Sequence, residues 1–181
     1  DMLQETQIPI VYHDEMRDTR GKLRVLSLFS GCGGMDLGFE GMFIANRKSF
    51  PQDSLYIDHA INKNWVMLKK TKFKTVFAND ILNEAEVAWT TYMFCFGYQP
   101  EMYHNISIVD LVKMHKQGAD IFPKNIEVVT GGFPCQDFSV AGKRKGFNSD
   151  KDDYGKKREG DEPSEETRGK LYYWMKQVIA T

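Results

Sequence analysis

From Leu23 to Phe29 the chain reads LRVLSLF, an apolar run of strand length that stops abruptly at SGCGG. The following MDLGFEGMF can open a helix, so the first unit predicted is strand, glycine loop, helix. Residues 43 to 74 break this rhythm, with Pro51, Asp53 and Asn62 among short apolar pieces and a basic run, LKKTKFK. They read as an insertion, a hairpin or loop excursion, ahead of a second strand from Lys74 to Asp80. A helix is expected from Asn83 to Phe96, because Ala85, Ala88, Tyr92 and Phe96 recur at spacings of three and four and Gly97 suits its end. NISIVDLVKMHKQG supplies a short strand end and another helix closed by Gly118, and NIEVVTGGFP a third strand with Val128 and Val129 buried. Alternating strands and helices of this kind predict an α/β fold, a mostly parallel sheet with flanking helices.

The remaining stretches set the domain boundaries. Residues 1–22 are polar and mixed and read as an amino-terminal arm, and residues 23–181 as one domain. Residues 148–167 carry eight acidic and four basic side chains and no large apolar one except Tyr154, which predicts a mobile loop. Leu171, Trp174, Met175 and Val178 then line one face of a last helix. The sequence stops soon after, and the domain is expected to be truncated.

Composition narrows the function classes. A chain of 181 residues with 41% hydrophobic and 27% charged side chains suits one soluble domain. Its formal net charge of −1 excludes a globally basic DNA-coating protein, so a nucleic-acid contact would need a local patch. Lys69, Lys70, Lys72 and Lys74 read as a solvated face, with contact to DNA as the alternative. Cys32, Cys95 and Cys135 form no C-x-x-C pair, and the four histidines are scattered, so neither a disulfide framework nor a metal site is expected. The acidic start and the lack of a long apolar run predict a protein neither exported nor embedded in a membrane.

Three stretches carry chemistry. In LFSGCGG, glycines between a strand and a helix allow a sharp turn and close approach of a ligand to free N–H groups. A plain turn is the alternative, and the third glycine of the dinucleotide fingerprint is missing. Asp80, at the end of the second strand, can accept hydrogen bonds from both hydroxyls of a ribose, or it can cap the following helix. Cys135 follows the third strand in GGFPCQDFSVAGKRKGF. It has no neighbouring histidine to act as base, and alone it reads more readily as a buried structural residue than as a nucleophile. The context adds a hydroxyl (Ser139), hinges (Gly142, Gly146) and charge for phosphates (Lys143, Arg144, Lys145). A nucleophile beside such a loop points to a nucleic-acid substrate.

These stretches resemble the cytosine-5 DNA methyltransferase family. VLSLFSGCGGMDLGFE is similar to its S-adenosylmethionine loop, FANDI to its ribose-binding acid, GGFPCQDFSVAGKRKGF to its catalytic motif and RGKLYYW to the element that follows. The resemblance implies a Rossmann-like methyltransferase fold. It implies a cofactor site of Phe29, Ser30, Gly31, Cys32, Gly33 and Gly34, with Asp80 on the ribose and Ile81 against adenine. Asn105, with Ile106 beside it, stands where the family usually has an Asp receiving the adenine amino group. Ser27 likewise replaces a common Asp, and Gly132, Pro134 and Leu171 complete the expected contacts.

For the reaction, the resemblance implies covalent addition of Cys135 to C6 of a flipped-out cytosine and methyl transfer to C5. Gln136, Ser139, Lys143, Arg144, Lys145 and Arg168 would contact double-stranded DNA. The family's Glu-Asn-Val and Arg-x-Arg motifs are absent from these 181 residues. The chain alone is therefore expected to be inactive without a complementing subunit or further chain. A bacterial, cytoplasmic restriction-modification system is the implied setting. A transfer-RNA cytosine methyltransferase of the same fold and a non-catalytic binding module are the alternatives.

Overall fold

The computed structural model describes residues 21–133 and 170–181. Four strands form a sheet in the order β6-β5-β1-β7, where β1 is Leu23–Leu28, β5 Phe73–Asp80, β6 Tyr103–Asn105 and β7 Val128–Gly131. Every pairing is parallel, so Leu28, Asp80, Asn105 and Gly131 all end at one edge. Helices cover both faces, as a parallel sheet requires. On one face α3 (Ile108–Lys116) and α4 (Leu171–Ile179) close a core around Leu26, Leu28, Phe77, Val112, Leu171 and Trp174. On the other, α2 (Asn83–Phe94) packs Trp89 and Met93 against Ala78 and Tyr103, with Leu37 of α1 (Gly34–Glu40) alongside. The predicted fold class holds: this is a mostly parallel, Rossmann-like sheet with flanking helices.

The stretch expected as a hairpin or loop is a separate antiparallel sheet of order β2-β4-β3, formed by Ile44–Asn46, Trp65–Leu68 and Ile57–Ala60. It leaves and rejoins the fold at one narrow neck. Gly41 bridges to Lys70, and the Thr71 N–H donates to the Glu40 carbonyl at 3.1 Å. At φ 69°, a Cβ on Gly41 would lie 2.1 Å from the Lys69 carbonyl oxygen, so only glycine fits. The neck adjoins the start of β5, which places the small sheet at the edge opposite Asp80.

Three expectations change at the level of side chains. In α2 the buried residues are Ala85, Trp89 and Met93, while Ala88 and Tyr92 are exposed. Val128 and Val129 are half-buried, because β7 is the outermost strand on its side of the sheet among the described residues. Lys69, Lys70 and Lys72 are solvated, but Lys74 is buried with its ammonium 3.6 Å from the centre of the Tyr98 ring.

A β-bulge explains what Lys74 joins. β5 carries one extra residue, since Val25 pairs with Thr75 and Leu26 with Phe77. The Thr75 N–H is thereby free to donate to the buried Glu40 carboxylate at 2.5 Å, and the Tyr98 hydroxyl donates to the same oxygen. Burial lowers the Lys74 pKa to about 8, with the Glu40 charge opposing the shift.

Candidate functional site

The turn after β1 is built by left-handed backbone and by bonds to neighbouring strands. Phe29 (φ 52°) and Gly31 (φ 53°) both occupy the left-handed region, a conformation in which a phenylalanine is strained. Ser30 locks the turn to β5: its N–H donates to the Asn79 carbonyl at 2.8 Å, and its hydroxyl accepts the Asn79 N–H at 3.1 Å. The same hydroxyl donates back to Ser27, 3.0 Å from the carbonyl oxygen and 2.9 Å from Oγ. Gly33 has φ 87°, and a Cβ there would meet Trp89 Cδ1 at 2.6 Å. α2 thus packs directly on the turn.

Gly31 is held from both sides. Its N–H donates to Asp80 Oδ2 at 3.0 Å, and its carbonyl accepts the Tyr103 hydroxyl at 3.2 Å. Burial, and then the charge of Asp80, raise the Tyr103 pKa far above the ordinary phenol range, so the hydroxyl remains a donor. Asp80 Oδ1 accepts from the N–H groups of Ile81 (2.8 Å) and Leu82 (3.2 Å). The helix-capping alternative takes a modified form: Leu82 stands at the cap position, and Asp80 braces the approach to it. Three N–H groups on a carboxylate with about four acceptor positions leave Oδ2 able to accept one more hydrogen. That capacity fits a ribose hydroxyl.

The neighbouring strand ends continue the same edge. Asp80 pairs in register with Asn105, whose amide nitrogen is enclosed and has no hydrogen-bond partner among the described residues. An unpaired buried donor beside a carboxylate suits a ligand with an acceptor, such as an adenine ring. On the other side Leu28 pairs with Gly131, and the ring of Phe133 meets Phe29 edge-on at 6.4 Å. The chain that leads towards Cys135 therefore emerges beside the glycine turn.

The sequence-predicted residues divide into two groups. Phe29, Ser30, Gly31, Cys32, Gly33, Gly34, Asp80, Ile81, Asn105, Ile106 and Gly132 lie in the turn or at the ends of the strands, with Cys32, Gly34 and Gly132 exposed. Leu171 is only 3% exposed and packs within the core that Phe29, Ile106 and Phe133 border, beneath the edge. Pro134, Cys135, Gln136, Ser139, Lys143, Arg144, Lys145 and Arg168 lie outside the described residues, as do the expected mobile loop and most of the amino-terminal arm.

Two residues that the sequence reading missed also support the turn. Asp36, fully buried in the first turn of α1, accepts the Trp89 indole N–H at 2.7 Å. Burial raises its pKa, against hydrogen bonds from Ser27 and Trp89. Asn79 is the second. Its signal was only its place before Asp80 in FAND.

The family model for C-5 cytosine-specific DNA methylase matches residues 23–154. The chain belongs to the C-5 cytosine-specific DNA methylase family. Among relatives of this methylase family, Type II methyltransferase M.BsuRI of Bacillus subtilis is 33% identical over 125 residues, 68% of this chain and 25% of the relative. M.BspRI of Lysinibacillus sphaericus is 33% identical over 142 residues, 74% of this chain and 28% of its own. M.HgiGI of Herpetosiphon aurantiacus is 31% identical over 122 residues, 67% of each chain. The chain thus spans about a quarter of the length of the first two. No solved structure matches it significantly. Among the described residues no helix is long and apolar enough to cross a membrane, and no group of three His, Cys, Asp or Glu side chains could hold a metal ion.

Proposed function

We propose that this chain provides the S-adenosylmethionine site and the nucleophile of a DNA cytosine-5 methyltransferase. The observation that carries the reading is the clasped turn: Gly31 held by Asp80 and Tyr103, beside the strand that leads to the Pro-Cys-Gln motif. Open parallel sheets bind nucleotides at this edge. Asp80 would hold the ribose, Asn105 and Ile81 the adenine, and the Phe29–Gly34 turn the methionine end. The bound cofactor supplies an electrophilic methyl group on a sulfonium.

The chain's own residues act on the base. C5 of cytosine is a weak nucleophile within an aromatic ring. The Cys135 thiolate adds to C6 and breaks the C5–C6 double bond, and the electron pair moves to C5. Once a methyl group stands on C5, the C5 proton would pass to water and its electron pair would restore the C5–C6 double bond as the Cys135 thiolate leaves. A stacked base cannot be reached in this way, so the cytosine is flipped out. Ser139 to Gly146 would close on the DNA, with Lys143, Arg144 and Lys145 on phosphates and Gln136 and Arg168 at the site. Protonation at N3 requires an acid that a further chain segment or subunit supplies. Type II relatives of bacterial origin support a restriction-modification role in the cytoplasm.

The test uses the intact protein with its complementing segment. DNA containing 5-fluorocytosine should form a covalent adduct that depends on S-adenosylmethionine and is abolished by Cys135→Ala. Matched RNA should form none. An adduct only with RNA would move the substrate to the transfer-RNA branch, and no adduct with either would leave a binding module.

A further inference from the structure

We infer that Asn79 is a positioning residue that holds Asn105, the adenine end of the site, in register with the glycine turn. The inference rests on the cofactor reading above. Asn79 is 1% exposed, and its amide nitrogen donates to two carbonyls, His104 at 2.8 Å and Ile106 at 2.7 Å. These are the carbonyls on either side of Asn105. Its main chain makes the two bonds to Ser30 described above. One residue therefore spans from the turn that would take the methionine end to the strand end that would take the base.

The need for such a span lies in how β6 ends. After Asn105 the chain leaves the sheet: the Ile106 N–H folds back to the His104 carbonyl at 3.0 Å, and Ser107 caps α3 through the Val109 N–H at 3.1 Å. Among the described residues no strand ladder continues to fix the Ile106 carbonyl, so a side chain does. Only a primary amide of this length offers two N–H donors there. An aspartate would set oxygen against two carbonyl oxygens, and an alanine would leave two half-buried acceptors without one partner. The Asn105 amide nitrogen has no partner among the described residues. Its position is therefore inherited from the backbone that Asn79 grips.

A double-mutant cycle on equilibrium binding of S-adenosylhomocysteine, measured by calorimetry on the intact protein, tests this. Asn79→Ala and Asn105→Ala should each weaken binding about tenfold, and the double variant should also lose about tenfold where independent sites would lose about a hundredfold. Melting temperatures without ligand control for folding, and Asn79→Ser, which keeps one donor, replaces Asn79→Ala if that variant does not fold. Normal binding by Asn79→Ala, or losses that multiply, overturns the inference while the cofactor reading stands. Absence of binding by the wild-type protein overturns the cofactor reading and the inference with it.

Discussion

Asp80 Oδ2 accepts the Gly31 N–H at 3.0 Å, although the two residues stand 49 positions apart in the chain. The carboxylate proposed to hold a ribose is thus already part of the scaffold that shapes the loop beside it. Asp80→Ala removes three hydrogen bonds to main-chain N–H groups. It should cost about 2 kcal/mol in urea unfolding and more than tenfold in S-adenosylhomocysteine affinity. Asp80→Asn, which keeps one acceptor and loses the charge, should fall between. An alanine variant with unchanged stability would show that the clasp contributes nothing.

Gly33 tests the packing of α2 on the turn. A methyl at this position combines a left-handed φ of 87° with a 2.6 Å approach to the Trp89 ring. Gly33→Ala should destabilise the fold by about 2–3 kcal/mol through strain and overpacking. Gly34→Ala, with open space around its Cβ, should cost far less. Thermal melts of the two variants side by side provide the comparison.

Asp36 is a buried acid with its pKa raised by burial, so the folded state binds its proton more tightly than the unfolded state. Its stabilising contribution is complete at pH values below the unfolded value of 3.8 and declines as pH rises. Asp36→Asn keeps an acceptor for the Trp89 indole and has no charge to bury. Its stability relative to wild type should therefore improve between pH 4 and pH 7, as read by chemical denaturation at both values. A gap that does not change with pH would place the charge of Asp36 elsewhere.

Lys74 shifts in the opposite sense. With a folded value of about 8 against 10.5 unfolded, the native state sheds the proton first. Between those values the unfolded chain holds more protons, so stability from this group rises with pH. After discounting for partial solvation, wild type should gain on the order of 1–2 kcal/mol relative to Lys74→Met across that window. Urea midpoints at pH 8 and pH 10 would measure it.

The succession of strands and helices in the main sheet, the glycine turn and the place of Asp80 at a strand end were legible in the sequence because each depends on local chemistry. An apolar run ending in glycines, and an acid ending the next run, need no distant partner to be read. The inward face of α2 was not legible. Apolar residues stand all round it, with Val87, Tyr92 and Phe94 exposed. The choice of Trp89 as the inward residue follows from Gly33 and Asp36, far away in sequence. Lys74 failed for a similar reason. In a run of lysines it has the same composition as its neighbours, and only the bulge and the Glu40 carboxylate distinguish it. Asn79 reads as an ordinary strand residue until the strand ending at Asn105 is placed beside it.

The neck formed by Gly41 and Lys70 gives the molecule a port on the side away from its chemistry. Whatever is threaded through it begins and ends at nearly the same point, so its length is nearly independent of the geometry of the nucleotide edge, and doubling such a loop costs only about 0.6 kcal/mol in closure entropy. A fluorescent reporter or a tag grafted at the exposed tip, Pro51–Asp53, would report on this protein in the cell without touching the residues proposed to hold the cofactor.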